Sequence, residues 1–173
     1  MPPATTAAFG GPVKRDRLWF FYTARYFANE FYLAGLFYPV QPSAVVRTDD
    51  PKRQAYGGTW TADNNVRLTA ALTQKQKLSG WYAYQHKVDP HWTINNGLSS
   101  PDAVRVTTWH TQLSTITWTY TATNRLLFEA GVAPGESTDT IAVQPDRVNG
   151  ISIQEQGGLI AKPLTYRAPT GFD

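Results

Sequence analysis

Polar and apolar residues alternate with a period of two over most of the chain. From residue 64 onward, Val66 and Leu68 fall on one side of an extended backbone, while arginine and threonine occupy the positions between and after them. The polar run TQKQK interrupts the alternation at 73–77, and Leu78 resumes it. Alternation on both sides of a short polar connection predicts a β-hairpin.

The same layout occurs twice more, and long connections separate the three copies. Residues 13–27 alternate around KRDR at 14–17, and residues 116–132 alternate around TATNR at 121–125. Irregular loops rich in Pro, Gly, Asp and Asn are predicted near 31–60, 89–103 and 134–173. Short turns on one rim and long loops on the other are typical of an outer-membrane β-barrel. The sequence therefore predicts an all-β fold, an antiparallel up-and-down meander that is an incomplete portion of a transmembrane outer-membrane β-barrel.

The two sides of the predicted strands differ in charge. Charged residues such as Arg25, Arg67, Lys87 and Glu129 fall on the side assigned to the lumen. Trp and Tyr favour the bilayer interface, so rings near the turns predict an aromatic girdle. The residues predicted to face lipid or its interface are Phe20, Tyr22, Leu68, Leu72, Leu78, Tyr82, Trp118, Tyr120, Leu126 and Phe128. In 104–114 the pattern leaves two alternatives, a bulge that switches the faces or a segment that projects above the membrane.

Composition excludes several classes of protein. Aromatic residues make up 13% and charged residues 17% of the chain, against a charged share of about 25% in ordinary globular domains. The net charge of +3 is scattered along the chain, which argues against nucleic-acid binding. With no cysteine, disulfides and thiolate metal sites are excluded. No apolar run is long enough for a transmembrane helix, and the export signal is expected to lie outside this chain.

Catalytic and metal-binding motifs are not predicted. The three histidines, His86, His91 and His110, match no metal-ligand spacing and are interpreted as loop and rim residues that face water. Neither a Gly-x-Ser-x-Gly elbow nor a phosphate-binding loop occurs. Trp92 is a loop ring that either contacts a ligand or packs locally. We therefore predict no enzyme, no catalytic residue, no metal site and no cofactor.

Three segments resemble a known family. FGGPVKRDRLWFF at 9–21, QKQKLSGWYAYQ at 74–85 and TATNRLLFEAGVAPG at 121–135 resemble hairpins of TonB-dependent outer-membrane receptors, in the subgroup related to Oar. The resemblance covers residues 9–134. It implies uptake of a scarce ligand into the periplasm, powered by the TonB complex through a plug domain inside the barrel.

The resemblance also implies partners and a location. It places the protein in the bacterial outer membrane, in contact with lipid, with the rest of the barrel and its plug domain, and with a small ligand such as a siderophore, an oligosaccharide or a peptide. Residues 1–173 are expected to be an N-terminal part of such a barrel, because the plug domain is absent and about five strands plus the end of a sixth are predicted. The smallest closed barrels use about eight strands. Two alternatives remain: a soluble β-barrel or sandwich that binds a ligand, and a small structural or adhesive outer-membrane barrel.

Overall fold

The computed structural model describes residues 4–41, 46–94, 99–144, 153–155 and 164–166, and their regular structure consists of β-strands. None of these segments forms a helix long and apolar enough to cross a membrane. The strands are β1 (Ala4–Lys14), β2 (Leu18–Pro39), β3 (Asp49–Ala71), β4 (Gln76–Trp92), β5 (Arg105–Thr123), β6 (Leu126–Val132), β7 (Gly135–Val143), β8 (Ile153–Glu155) and β9 (Leu164–Tyr166).

Strands β1 to β6 pair with their chain neighbours in an antiparallel meander, and β8 pairs with β9 separately. Strand β7 continues β6 and pairs with the other half of β5. The two are separated at Ala133 and Pro134, where the Pro134 carbonyl accepts the Ser114 N–H at 2.9 Å. Proline has no N–H of its own to donate to the ladder. The prediction of an all-β antiparallel meander, left open like a portion of a barrel, is confirmed.

Short turns join the strands along one rim of the sheet. After β1 the turn occupies residues 15–17, and Asp16 takes the left-handed conformation with φ of 59°. After β3 the Thr73 hydroxyl accepts the N–H groups of Lys75 and Gln76 at 3.2 and 3.0 Å. Such bonds from a hydroxyl to nearby backbone stabilise tight turns. The three hairpins predicted from the sequence therefore have turns built from local polar contacts.

The long connections are shorter than predicted, and the prediction of irregular structure over 31–60 is wrong. Strand β2 continues to Pro39, and β3 begins at Asp49. Backbone pairing continues through Phe31 opposite Gly57 and Tyr32 opposite Tyr56. The polar, Pro- and Gly-containing composition of 49–58 reflects its position at the sheet's end, while the partner strand keeps its backbone extended.

The other two predicted loops also contain strand. In the region 89–103, β4 runs to Trp92 before the chain leaves the sheet. In the region 134–173, β7 occupies Gly135–Val143, because the chain resumes pairing with β5 after Pro134. The strand segments β8 and β9 also lie in this region, and the remainder of 145–173 lies outside the described residues.

The register between β4 and β5 is continuous from Gln76 opposite Tyr120 to Asp89 opposite Thr107. A bulge would put two residues of one strand opposite one residue of the other and break this pairing. The bulge alternative is therefore excluded over 107–114, whereas the register does shift between Asp89 and Trp92, opposite 105–107. His110, Gln112 and Ser114 share the side of the sheet that carries Ile116 and Trp118.

A small hydrophobic core lies at the rim opposite the short turns. It consists of Leu36, Ala55, Ile94 and Val104, with Leu33 packed against it. Ala55 is fully buried, and Ile94 is 1% exposed. This core ties the extended β2–β3 hairpin to the connection between β4 and β5.

Gly57 has no room for a side chain in this core, and its substitution gives a first prediction. A Cβ atom at Gly57 would lie 2.6 Å from Phe31 Cζ and 2.8 Å from Ile94 Cγ2, whereas a Cβ at Gly80 would meet nothing within 4 Å. Because overpacking costs about 1–3 kcal/mol, we expect Gly57→Ala to lower the urea midpoint of the protein. Gly80→Ala is the matched control and should leave it unchanged or raise it. An equal loss in both variants would contradict this account of the core.

Candidate functional site

The continuous register gives the sheet two chemically distinct faces. The band face is defined here as the side that carries Phe20, Leu68, Gly80 and Ile116, which lie in one row across β2 to β5. The charged face is the opposite side, and one row of it runs through Phe21, Arg67, Trp81 and Thr115. Successive side chains of a strand point to opposite faces, so every paired position is assigned by its row.

Charge is confined almost entirely to one of these faces. Over the paired parts of β2 to β5, from the row of Leu18 to the row of Ala28, the band face carries no Asp, Glu, Lys or Arg among the described residues. Over the same rows, the charged face carries Arg25, Asp63, Arg67 and Lys87. Two residues beyond the row of Ala28, Glu30 lies on the band face. At the sheet edge, Glu136 of β7 lies on the band face opposite Gln112.

Charged side chains on the charged face have partners within the sheet. Arg25 lies opposite Asp63, and the Gln85 amide donates a hydrogen bond to the Asp63 carboxylate at 2.8 Å. Arg25 also lies over the Phe27 ring at 4.5 Å, and the Lys87 ammonium over the Trp109 ring at 4.8 Å. The face therefore suits contact with water or with polar protein.

Polar groups on the band face are paired with one another. The Tyr22 hydroxyl donates to Asn64 Oδ1 at 2.5 Å, and the Tyr82 hydroxyl donates to Gln112 Oε1 at 3.1 Å. A hydrogen bond within the sheet reduces the cost of taking a polar group out of water. These pairs reduce the cost of placing Asn64 and Gln112 on the band face.

Aromatic rings form one tier at each end of the band face. Near the short turns, Trp118 and Phe128 each lie beside Tyr120, with ring centroids 5.9 and 6.2 Å apart. Ten residues along β3 from Ala70, Trp60 contacts Tyr26 at 6.3 Å and His86 at 5.0 Å. Ring tiers at two heights of one face are the arrangement that interfacial rings adopt in membrane barrels. The rows between them mix apolar residues with further rings, Tyr22, Tyr82 and Tyr84.

Nine of the ten residues predicted to face lipid lie in strands on the band face, and the tenth, Leu72, lies just after a strand. Leu72 follows the end of β3 and donates its N–H to the Gln76 carbonyl across the turn. The other nine lie in strands and alternate in phase with the band face: Phe20, Tyr22, Leu68, Leu78, Tyr82, Trp118, Tyr120, Leu126 and Phe128. Their contact with lipid stays a prediction.

A cavity of about 750 Å³ lies at the loop end of the sheet. Tyr32, Tyr38, Tyr56 and His91 contribute rings to its lining. The His91 ring stands edge-on to Tyr56 at 4.6 Å, and its Nε2 lies 2.8 Å from the Tyr38 hydroxyl. The Arg53 guanidinium lies 4.8 Å from the centre of the Tyr38 ring. An aromatic wall beside a cation therefore forms one side of the cavity.

Tyr32 lies at the mouth of this cavity beside an acidic neighbour. A hydrogen bond to the Glu30 carboxylate, supported by the negative charge of that group, raises the pKa of Tyr32 above its ordinary value. The carboxylate therefore opposes ionisation of the phenol, which donates the hydrogen bond between them. Glu30 also lines the cavity.

A buried arginine holds the loops next to the cavity. Arg47 donates from Nε to Asp49 Oδ1 at 2.6 Å and from Nη1 to Asp102 Oδ1 at 3.4 Å. It also donates to the Ser100 hydroxyl and to the Phe37 carbonyl. The side chains of Arg47 and Asp102 are 6% and 8% exposed. Their contacts connect the end of β2, the start of β3 and the connection after β4.

Histidine placement corrects part of the sequence interpretation. His91 was expected to face water at the rim, but it is 6% exposed because the Tyr38 and Tyr56 rings pack against it. His86 and His110 lie in one row on the band face, with their Nδ1 atoms 3.2 Å apart. Among the described residues, no group of three or more His, Cys, Asp or Glu is placed to hold a metal ion. Trp92 packs against Trp109 at 5.9 Å.

The cavity itself was not predicted from the sequence. Tyr32, Tyr38, Arg53 and Tyr56 lie in 31–60, where the composition indicated an irregular loop. The run FYLAGLFYP at 31–39 is rich in aromatic residues, which favour strands, and it is the signal that would have extended β2. Neither signal places His91 against Tyr56, because the two residues lie 35 positions apart.

Comparison with known proteins does not assign the chain. No protein-family model matches it, and neither the curated proteins nor the solved structures contain a match.

The buried arginine gives a second prediction. Removing one partner of a buried ion pair costs about 3–5 kcal/mol, because the other charge is left buried without compensation. We expect Arg47→Ala to lower the urea midpoint of the protein and to make 99–104 more susceptible to limited proteolysis. Arg15→Ala, at the exposed first turn, is the control and should change neither. Arg47→Ala with Asp102→Ala should recover part of the loss, and a single Arg47→Ala variant as stable as the parent would refute this role.

Proposed function

We propose that this chain forms part of the β-barrel of a TonB-dependent outer-membrane receptor that takes up a scarce ligand into the periplasm. The observation that carries the proposal is the confinement of charge to one face across four strands in continuous register. Arg or Lys on the lipid face at mid-bilayer costs about 2–4 kcal/mol. A sheet with one face clear of these residues is suited to contact with lipid.

The aromatic tiers support the same proposal. The row of Leu18 and the row of Ala28 are ten residues apart along β2. At about 3.4 Å per residue and a strand tilt of about 40°, ten residues rise roughly 25 Å. This height matches the apolar band of an outer-membrane barrel, with Trp118 and Tyr120 at one border and Trp60 at the other.

The sheet edges favour a barrel over a soluble binding module. A soluble module would need further elements in 31–60 and 135–173 to cover its edges. In the described part of these regions, β2 and β3 lengthen the existing hairpin, β7 lengthens the edge strand formed with β6, and β8 pairs with β9. Open edges carry unpaired N–H and C=O groups, and closure with further strands of a barrel satisfies them.

The receptor class rests on the resemblance of residues 9–134 to this family. In this proposal the partners are outer-membrane lipid, the rest of the barrel with its plug domain, the TonB complex and a small ligand such as a siderophore, an oligosaccharide or a peptide. The charged face would line the lumen, where polar contacts with a plug or water are available to Arg25 and Arg67. No enzymatic step, cofactor or nucleic-acid contact forms part of the proposal.

Arginine substitutions on adjacent positions test the assignment of the faces. We expect Leu68→Arg to impair membrane assembly, because it puts a cation on the band face, where the cost rises from near zero at the interface to about 2–4 kcal/mol at mid-bilayer. Thr69→Arg puts the same residue on the charged face and should be tolerated. Phe128→Arg and Glu129→Arg are a second matched pair on β6. Heat-modifiable gel mobility of the complete gene product reports assembly, and equal assembly of all four variants would refute the assignment.

Epitope accessibility tests the orientation. In receptors of this class the long connections face the cell exterior and the short turns face the periplasm. We expect an epitope inserted after Gln41 to be labelled on intact cells. An epitope inserted after Gln74, in the short turn, should be labelled only after the outer membrane is permeabilised. The reverse result would invert the topology.

A further inference from the structure

The loop-end cavity opens on the band face of the sheet. Glu30 and Tyr32 follow Ala28 at every second position of β2, so they lie on the same face as Ala28. Tyr56 lies opposite Tyr32 on β3 and therefore shares this face with Trp60. Val106 lies two residues along β5 from Thr108, so it is on the same face, and Ala142 of β7 lies opposite it. Glu30, Tyr32, Tyr56 and Val106 all line the cavity. The cavity therefore lies on the side of the sheet that carries the apolar band, not on the charged side.

Its distance from the apolar band corresponds to a lipid headgroup layer. Glu30 and Tyr32 lie two and four residues beyond Ala28 on β2. At roughly 2.6 Å of height per tilted residue, they stand about 5–10 Å above the border of the band. The polar layer on each side of a bilayer is about 5–8 Å thick. A molecule in the cavity would lie at the depth of a headgroup.

The cavity lining combines ring faces with cations. Tyr32, Tyr38 and Tyr56 present rings, and Gln54 adds an amide. Lys52 and Arg53 are exposed neighbours in β3 that both contribute to the lining, and the Arg53 guanidinium lies over the Tyr38 ring. Arginine and lysine bind phosphate through charge-assisted hydrogen bonds, and aromatic rings offer an apolar surface with polar hydroxyls at the edge.

The acidic residues of the lining do not cancel this charge. The Asp102 carboxylate accepts hydrogen bonds from Arg47 and from the Ser100 hydroxyl. A hydrogen bond from the neutral Tyr32 hydroxyl does not remove the charge of Glu30, so Lys52 and Arg53 together outweigh it by one positive charge. A ligand with hydroxyl groups could also donate to Glu30, whereas a bare phosphate would gain nothing from the rings. A phosphorylated sugar satisfies both parts of the lining.

We propose that this cavity binds the phosphorylated sugar headgroup of a glycolipid in the outer leaflet. The proposal rests on the proposed function, because it takes the band face to be in contact with the outer membrane. The same chemistry could come from a soluble sugar phosphate. The position of the cavity above the apolar band favours the lipid, whose acyl chains would lie along the band face below the cavity.

The test uses the complete gene product, purified from membranes, delipidated and examined by native mass spectrometry with added diphosphorylated lipid A. We expect the double variant Lys52→Ala with Arg53→Ala to lower the affinity for lipid A about tenfold or more, because it removes both cations that contact the phosphate. Lys14→Ala with Arg15→Ala removes the same two charges at the short-turn rim and should leave binding unchanged. Tyr56→Ala removes a ring without changing charge and should also weaken binding.

Four outcomes would overturn the inference. They are equal binding by the two double variants, equal binding of lipid A without phosphates, binding of glucosamine 6-phosphate without binding of lipid A, and no lipid binding by an assembled parent protein. Heat-modifiable mobility is measured on every sample. An assembled parent that binds no lipid A refutes this inference alone, whereas a parent that never assembles in the membrane refutes the proposed function as well.

Discussion

Backbone pairing in a single register is the constraint on which the rest of the structure depends. Between β3 and β4 the pairing is unbroken from Trp60 opposite Val88 to Ala71 opposite Lys77. A slip of one residue would exchange the two faces of a strand. It would move Arg67 onto the band face and Leu68 onto the charged face. The register therefore fixes the separation of charge at the same time as it satisfies the backbone.

Side-chain contacts reinforce this register at several heights. On the charged face, Gln85 bonds to Asp63 across β3 and β4. On the band face, Tyr82 bonds to Gln112 across β4 and β5. Each contact joins residues on neighbouring strands, and each would be lost if its strand slipped. Cross-strand pairs contribute about 0.2–1 kcal/mol each, so their value lies in selecting one register as much as in overall stability.

Much of this fold could be predicted from the sequence, because period-2 alternation and short polar turns are local signals. The hairpin around 73–77 depends only on neighbours such as Leu68 and Leu78. The loop end could not be predicted in the same way. Residues 49–58 have the composition of a loop, yet Gly57 is extended because Phe31 pairs opposite it and because Ile94 occupies the space beside it. Contacts between distant segments outweigh local propensity at such positions.

In the candidate site, too, the positions set by local alternation could be predicted, and the positions set by contacts between distant segments could not. Nine of the ten residues predicted to face lipid lie in strands on the band face, since alternation alone assigns them to one side. His91 was misjudged, because the rings that bury it belong to a different hairpin. The residues of the cavity were missed for the same reason. Local patterns predict which side of a sheet a residue takes, but not which distant loops pack over it.

The buried Arg47 cluster explains how a loop end with so small a core holds a defined cavity. Leu36, Ala55, Ile94 and Val104 together provide little apolar area, so packing alone leaves the β2–β3 hairpin weakly attached. Arg47 has several donors in a fixed planar geometry, and it bonds to three different segments at once. A buried ion pair adds little net stability when it forms, but breaking it is costly. The cluster therefore acts mainly to select one arrangement of the loops, and this arrangement is the one that brings Tyr38 against His91 and closes the side of the cavity.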